Sequence, residues 1–411
     1  MSSLPDSTIG SLSERSEKAE QASLSSNDVP PPPSHHLAPY TAQETAEAWG
    51  EAESEIFPRD QDADSGYDDD MGSQADSMSL TSGVRNFTWE NGRRYHGYRA
   101  GQYNFPNDDR EQDREVLKHI MFQRLFNENT QFAPLHELKD TTWEVLDIGT
   151  GTGSWALDFA DLYPHANVLG VDLSPIQTQW VPHNLKFMVD DVELEWIYPE
   201  NHFDFVHTRH MVVAIRKWDF VIESAFRHIK PGGWLELHEI DHMPQCLDGT
   251  LPPNSYLLQY WSLVTEACNK MRLNVRPHGG LADAMRAAGF INVTERIFFT
   301  PIGPWAKNQQ LREVGLYWRS VLLEGLESIA LGPLSRGLNW SKDEIDILVA
   351  ETRTAYMDRK IHSYMPFYVI YGQKPPEGTS APVSPGPQTP EKNTRAERSD
   401  DYATTSSAVS N

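Results

Sequence analysis

The stretch Glu144-Val-Leu-Asp-Ile-Gly-Thr-Gly-Thr-Gly153 constrains this chain more than any other. Val145, Leu146 and Ile148 write a short apolar strand, and Gly149, Gly151 and Gly153 follow at once. A helical pattern then begins with Trp155, Ala156, Leu157, Phe159 and Ala160. A loop so poor in side chains lets the backbone press against a ligand at the carboxyl end of a parallel strand. A second strand, Val168-Leu-Gly-Val-Asp172, ends on an acid 19 residues beyond Gly153. That is close to the roughly 20-residue spacing at which a carboxylate meets a ribose hydroxyl. The two signals together predict an adenosine-containing cofactor on a doubly wound α/β sheet.

Details of the loop narrow the cofactor. A dinucleotide fingerprint reads G-x-G-x-x-G, with the helix N-terminus facing a pyrophosphate. Here the third glycine comes one position early, and Ser154 stands where that fingerprint wants glycine. Asp147 aims negative charge at the site, which suits a cationic ligand and opposes a pyrophosphate. S-adenosylmethionine carries a sulfonium and an ammonium and no phosphate. The run Asp147 to Gly153 resembles motif I of class I S-adenosylmethionine-dependent methyltransferases.

The tails differ in composition from the body. Residues 1–83 hold 17 acidic against 3 basic residues and a Pro30–Pro33 run. Such a segment cannot bury enough apolar surface to offset chain entropy, so a disordered acidic tail is expected there and another over 376–411. Residues 84–375 remain as one large folded unit. The net charge of −24 argues against direct nucleic-acid binding, which needs a basic footprint. Two cysteines, Cys246 and Cys268, make no disulfide framework, and a reducing compartment, cytoplasmic or nuclear, is expected. No apolar run approaches the ~20 residues of a membrane span, and no metal-ligand spacing stands out.

Along the body, strands alternate with helices as a doubly wound sheet requires. Asn184 to Asp191 and Phe203 to Arg209 read as the third and fourth strands, and Trp218 to Ile229 as a helix. Lys230-Pro-Gly-Gly233 reads as the helix stop before a fifth strand, Trp234 to Ile240. A helix near 279–288, a strand from Ile291 to Phe299 and a last strand from Phe367 to Tyr371 complete the pattern. The helix-Lys-Pro-Gly-Gly-strand order also resembles class I methyltransferases, whose fold implies a seven-stranded, Rossmann-like sheet with a final antiparallel strand. A helical stretch near 255–272 and about 65 residues between the last two strands are additions, natural lids over a site at the strand ends. The division expected is an N-terminal helical segment over 84–140, a cofactor-binding core over 141–300, a helical insertion over 301–365 and the final strand over 366–375.

A narrower resemblance lies upstream. Glu90-Asn-Gly-Arg-Arg-Tyr-His-Gly-Tyr-Arg99-Ala-Gly-Gln-Tyr103-Asn-Phe-Pro-Asn-Asp108-Asp109-Arg-Glu-Gln-Asp-Arg114 and Leu251-Pro-Pro-Asn-Ser255 are similar to fungal methyltransferases of the LaeA type, the velvet-associated regulators. The family implies a methyltransferase fold tied to fungal secondary metabolism, with some members nuclear regulators and others tailoring enzymes.

The site residues each carry a functional and a bland reading. Gly149, Gly151 and Gly153 bring backbone to the cofactor, or form a plain strand-to-helix turn. Asp172 accepts the ribose hydroxyls, or caps a helix with Ser174-Pro175. Asp190 and Asp191 compete for the acid that the family sets against the adenine amino group, and Asp191, followed by Val192, fits that pattern better. Asp147 meets the ammonium directly or through water. Tyr103 and Tyr95 roof the cofactor or staple the N-terminal helix.

A base is needed only if the acceptor loses a proton during attack. His207, His210 and Glu239 are candidates, with Arg209 and His242 beside them, and each also reads as packing. The aromatics Trp305, Tyr317, Trp318, Trp340, Tyr364 and Tyr368 read as core or as a flat apolar acceptor pocket. The leading function is therefore methyl transfer from S-adenosylmethionine to a small molecule or, second, a protein. The rival is a methyltransferase fold serving as a regulator in a complex, with a protein partner of the velvet type. An NAD-dependent oxidoreductase is disfavoured by Ser154 and Asp147.

Overall fold

A computed structural model describes residues 87–90, 92–138, 141–273, 275 and 278–378. The tails expected over 1–83 and 376–411 lie outside the described residues, apart from 376–378. The first elements among the described residues are an antiparallel hairpin, β1 (Thr88–Glu90) and β2 (Arg93–Tyr95), inside the segment expected to be helical. Helix α1 (Asp109–Leu125) follows. Asp108 caps it by accepting from the Glu111 amide, and Arg93 of the hairpin clasps the same carboxylate at 2.5 Å.

The sheet holds seven strands: β3 (Trp143–Ile148), β4 (Ala166–Asp172), β5 (Leu185–Val189), β6 (Phe203–Arg209), β7 (Ile229–Ile240), β8 (Ile291–Pro301) and β9 (Tyr364–Gln373). Their order is β5-β4-β3-β6-β7-β9-β8. The first five pair in parallel, and β9 enters antiparallel between β7 and β8. This is the doubly wound arrangement expected, with its antiparallel final strand.

Strand alternation sorts the core into two layers. Leu146 and Ile148 of β3 pack with α3 (Trp218–His228) and α5 (His278–Ala288) on one face. Val145 faces the opposite layer, with α2 (Ser154–Leu162), α4 (Tyr256–Lys270), α6 (Gln309–Leu338) and α7 (Lys342–Met357). The added stretches are therefore helical, as expected. A Ser341–Glu344 capping box starts α7, and Asn339 in the left-handed region ends α6.

Two expectations are corrected. No helix lies between β4 and β5 or between β5 and β6. Pro175 and Pro182 remove amide donors there, and Gln177 spends its amide on the Gly151 and Ser174 carbonyls. The Lys230–Gly233 turn is the second. It is absorbed into β7 as a bulge, because Phe203 pairs with Ile229 and Phe205 with Trp234. Lys230 holds Asp204 at 2.9 Å, and the end of β9 bonds both glycines through Lys374.

Candidate active site

The carboxyl ends of β3, β4, β5 and β6 open into a cleft of about 990 Å³. Its floor is the glycine loop. All three glycines have positive φ, which side chains disfavour. A Cβ on Gly153 would meet the Phe187 ring at 2.4 Å, and one on Gly149 would meet the Met211 thioether at 2.1 Å. A Cβ on Gly151 would meet nothing within 4 Å, so that glycine fronts open cleft.

Asp172, at the end of β4, stitches the loop in place. Its Oδ2 accepts from the Gly151 amide and its Oδ1 from the Ser174 amide, both at 2.9 Å. Burial pushes Asp172 up to about 6, against the pull of those two amides. Asp190 and Asp191 line the cleft from the end of β5. Asp191 is the more buried; its Oδ1 accepts from the Glu193 amide, and Arg99 approaches its Oδ2 at 3.6 Å.

Asp147 sits deeper. Thr150 donates to its Oδ2 at 2.6 Å, and His207 Nδ1 lies 2.8 Å from its Oδ1. Burial raises Asp147 to about 7, the Thr150 bond opposing, and holds His207 well below its ordinary value. The His207 ring lies flat on Trp155, with centroids 3.7 Å apart. Register puts Asp147 opposite His207 and His207 opposite Glu236, so this polar row is one rung of the sheet. Glu236 is fully buried and takes the Phe132 and Ala133 amides, which fixes the approach to β3.

The N-terminal segment closes the cleft from above. His96 Nε2 accepts from the Tyr103 amide, so its Nδ1 proton goes to the Tyr98 carbonyl. That knot carries Tyr103 over the cleft, and burial raises its hydroxyl well above the usual value. Gln102 reaches across to Glu193 at 2.5 Å.

Beyond Tyr103 lies a second pocket, of about 630 Å³, walled by Phe105, Trp261, Val264, Trp318 and Leu322. It adjoins the first cleft, and Tyr103, Glu115 and His210 line both. Behind this shared wall α1 turns Arg114, Glu115 and Lys118 inward. Lys118 Nζ is 2.5 Å from Glu115 Oε2 and 2.6 Å from His210 Nδ1. His210 Nε2 is 3.1 Å from His242 Nε2, and the His242 ring stacks on Trp261.

The model of the methyltransferase domain family matches residues 112–295. Methyltransferase pytC of Aspergillus terreus is 40% identical over 298 residues, 72% of this chain and 91% of its own. Secondary metabolism regulator LAE1 of Cochliobolus heterostrophus is 34% identical over 70% of this chain and 94% of its own. Protein-methionine methyltransferase laeA of Emericella nidulans is 32% identical over 74% and 80%. The chain belongs to the fungal LaeA-like methyltransferases. It is an S-adenosylmethionine-dependent methyltransferase, and S-adenosylmethionine is its cofactor. Among the described residues, no helix is long and apolar enough to cross a membrane.

The donor set of this methyltransferase fits that cofactor. The cleft offers carboxylates at Asp172, Asp190 and Asp191, the open Gly151 backbone and apolar walls at Ile176 and Val192. When bound, the cofactor supplies an activated methyl on sulfur; the chain supplies acids and backbone.

The sequence-predicted residues scatter between lining and support. Gly149, Gly151, Asp172, Asp190, Asp191, Tyr103, Arg209 and His210 line the main cleft. Asp147 and His207 line a smaller recess beside it. Gly153 supports from behind, and Tyr95 is buried in β2 without lining any of the three cavities. Glu239 is fully buried beneath the loop after β6, where its Oε1 accepts from the Met211 amide; burial raises it to about 8, against the Met211 and Val212 amides. His242 lines the second pocket. Of the six aromatics read as core or acceptor pocket, Trp318 lines that pocket, whereas Trp305 is buried core bonded to the Ser363 carbonyl. Sequence reasoning missed Glu115, Lys118, Phe105 and Trp261. The signal for the first two was present: Glu111, Arg114, Glu115 and Lys118 repeat at i, i+3, i+4 and i+7, one helix face.

Proposed function

We propose that this methyltransferase acts on a small, ring-bearing acceptor seated in the pocket of Phe105, Trp261, Val264 and Trp318. Gly149, Gly151, Asp172 and Asp191 hold the cofactor in the adjoining cleft, with Asp172 on the ribose, Asp191 toward the adenine and Tyr103 as a roof. Asp147 meets the cofactor's ammonium end through the recess beside the glycine loop. Residues 84–375 work as one catalytic unit. The observation that carries this reading is the wall common to both cavities, Tyr103, Glu115 and His210. A molecule in the second pocket would face the first across these side chains, sheltered from bulk water, which is the arrangement that alignment-driven transfer needs.

The test is transfer of labelled methyl to hydroxylated and aminated two-ring aromatics, with 2-naphthol among them. Val264→Phe, which fills the pocket, should cut transfer at least tenfold while cofactor affinity stays within twofold, roughly the effect of blocking one anchor site. Unchanged transfer would remove the pocket from acceptor binding.

A second reading takes a protein methionine as acceptor. One relative carries that activity in its name, and the Met211 thioether of this chain lines the cofactor cleft. Intact-mass measurement after incubation with the cofactor tests it: a gain of one methyl, lost in Met211→Leu, favours the protein acceptor.

A further inference from the structure

One interior cation is left over when the charges around the cofactor cleft are paired. Arg114 lies 2.5 Å from Glu111, and Lys118 lies 2.5 Å from Glu115. Arg209, at the end of β6, makes no such ion pair with a carboxylate among the described residues; its hydrogen bond goes to His119 Nδ1 at 2.9 Å. Burial lowers Arg209 to about 10, and Asp147, Glu115 and Asp158 oppose that from longer range. A charge held away from water gains more from a neighbouring anion than an exposed one does.

The guanidinium is aimed from two sides. It can only donate, so His119 accepts at Nδ1 and its proton lies on Nε2, where Asp158 Oδ2 takes it at 2.8 Å. Burial holds His119 below its ordinary value, which keeps Nδ1 able to accept. Gln123 donates to the same Asp158 oxygen at 2.7 Å. Asp158 belongs to α2, His119 to α1 and Arg209 to β6, so three elements orient one fork. Arg209 Cζ also lies 5.0 Å over the Phe122 ring. With one edge on His119 and one face on Phe122, Arg209 still lines both the main cleft and the recess beside it. That recess holds the opposite charge as well. Asp147 lines it, and the two act on each other: the acid raises the guanidinium, and the guanidinium lowers the acid. Ser154, the first residue of α2, lines it too, and the free amides of a first helical turn favour an anion.

We infer that Arg209, aimed by His119 and Asp158, binds the α-carboxylate of the cofactor's amino-acid end, so that this enzyme selects the complete amino acid and not the adenosine alone. This rests on the reading above that Asp147 meets the ammonium in the same recess. An acid and a guanidinium beside one helix N-terminus match a group that carries an ammonium and a carboxylate on one carbon. Lys118 does not compete for the carboxylate, since Glu115 and His210 already hold its Nζ. Arg209 is the binding residue, and His119 and Asp158 are positioning residues that act through it.

Calorimetric titration of the full chain with three demethylated ligands tests this. They are S-adenosylhomocysteine, its aminopropyl analogue, which lacks the carboxylate, and its carboxypropyl analogue, which lacks the ammonium. The wild type should bind the aminopropyl analogue about 100-fold more weakly than S-adenosylhomocysteine, within the range for losing one partner of a buried charge pair. Arg209→Met should weaken S-adenosylhomocysteine by about the same factor and leave the aminopropyl analogue within about threefold, so that the ratio of the two affinities collapses. His119→Leu should lower that ratio about tenfold, and an unchanged ratio there would take His119 out of the orienting role. A wild type that binds S-adenosylhomocysteine and the aminopropyl analogue equally would overturn the assignment, whether or not any variant folds. Equal weakening of both ligands in Arg209→Met would overturn it too, since loosened structure alone leaves the ratio standing. Unchanged affinity of Arg209→Met for S-adenosylhomocysteine would overturn it in favour of a carboxylate on the acceptor. The ammonium reading fails separately: a carboxypropyl analogue bound as tightly as S-adenosylhomocysteine removes Asp147 from that role while Arg209 keeps the carboxylate.

Discussion

The cofactor half of this site and the half proposed to seat the acceptor are built by different means. The floor of the cofactor half lies within residues 144–177, with Tyr103 and Asp191 added from outside it, and is held chiefly by short-range bonds: Thr150 N to the Val171 carbonyl, Gly151 N to Asp172, Gln177 to the Gly151 carbonyl. The acceptor half draws Phe105, Glu115, His210, His242, Trp261 and Trp318 from six places along more than half the chain, and it is held by side chains. A backbone-built site is specified locally and tolerates little change of conformation. A side-chain-built site exists only once the helices have packed, and single replacements alter it by degrees. The contrast teaches that the floor of the cofactor cleft is set by a short motif, whereas the walls of the second pocket, proposed above to seat the acceptor, are distributed over the added helices.

The largest effect should come from Gly153→Ala. Its φ of 85° is costly for any side chain, and the new Cβ would run into the Phe187 ring. Left-handed strain of roughly 1–2 kcal/mol and overpacking of about 1–3 kcal/mol together predict a loss of cofactor affinity of about 100-fold. Calorimetric titration measures it. Gly151→Ala is the control, since it shares the positive φ but meets no neighbour, and a loss of about tenfold is expected from strain alone. Equal losses would mean that conformation, not contact with Phe187, governs the loop.

Asp172→Ala should come next. It removes the acceptor for two amides as well as the carboxylate facing the cleft. A loss of at least tenfold in cofactor affinity is expected, about 1.4 kcal/mol, with the circular dichroism of the fold unchanged. Unchanged affinity would confine Asp172 to a structural tie and break the claim that one short motif both shapes and fills the cofactor site.

How much was legible follows the same division. Strand, glycines and acid were readable because their spacing is set by one strand–turn–helix unit, and the doubly wound class of the sheet came with them. The last strand was legible because Phe367 to Tyr371 is uninterrupted apolar sequence, while its antiparallel direction came only from the resemblance to class I methyltransferases. The missing helix after β4 was not, because Pro175 and Pro182 were outweighed by the expectation of regular alternation. The bulge at Lys230–Gly233 reads as a turn in sequence, and contacts with Asp204, Gln373 and Lys374, elsewhere in the chain, draw it into β7. His242 could be named as a candidate from its place after a strand. Its contact with His210, 32 residues away, and the contact of His210 with Lys118 of α1, 92 residues away, depend on packing between separate elements.

The smallest effect tests where the two halves meet. Arg99 and Gln102 reach over the cleft to Asp191 and Glu193. Arg99 is 44% exposed in its side chain, so solvent screens its 3.6 Å pair, worth less than about 1 kcal/mol. Glu193 does not depend on Gln102, because its other oxygen takes the Arg216 and Lys217 amides at 2.8 and 2.6 Å. Replacing both Arg99 and Gln102 by alanine therefore leaves the acids in place and removes only their clasp. Cofactor release, followed by stopped-flow fluorescence, should quicken about two- to fivefold, the equivalent of less than 1 kcal/mol, with melting temperature nearly unchanged. A hundredfold change would place these two distant side chains inside the cofactor-binding structure itself. The local, backbone-built character assigned to that half would then fail, because its stability would hang on the same long-range packing that makes the acceptor half.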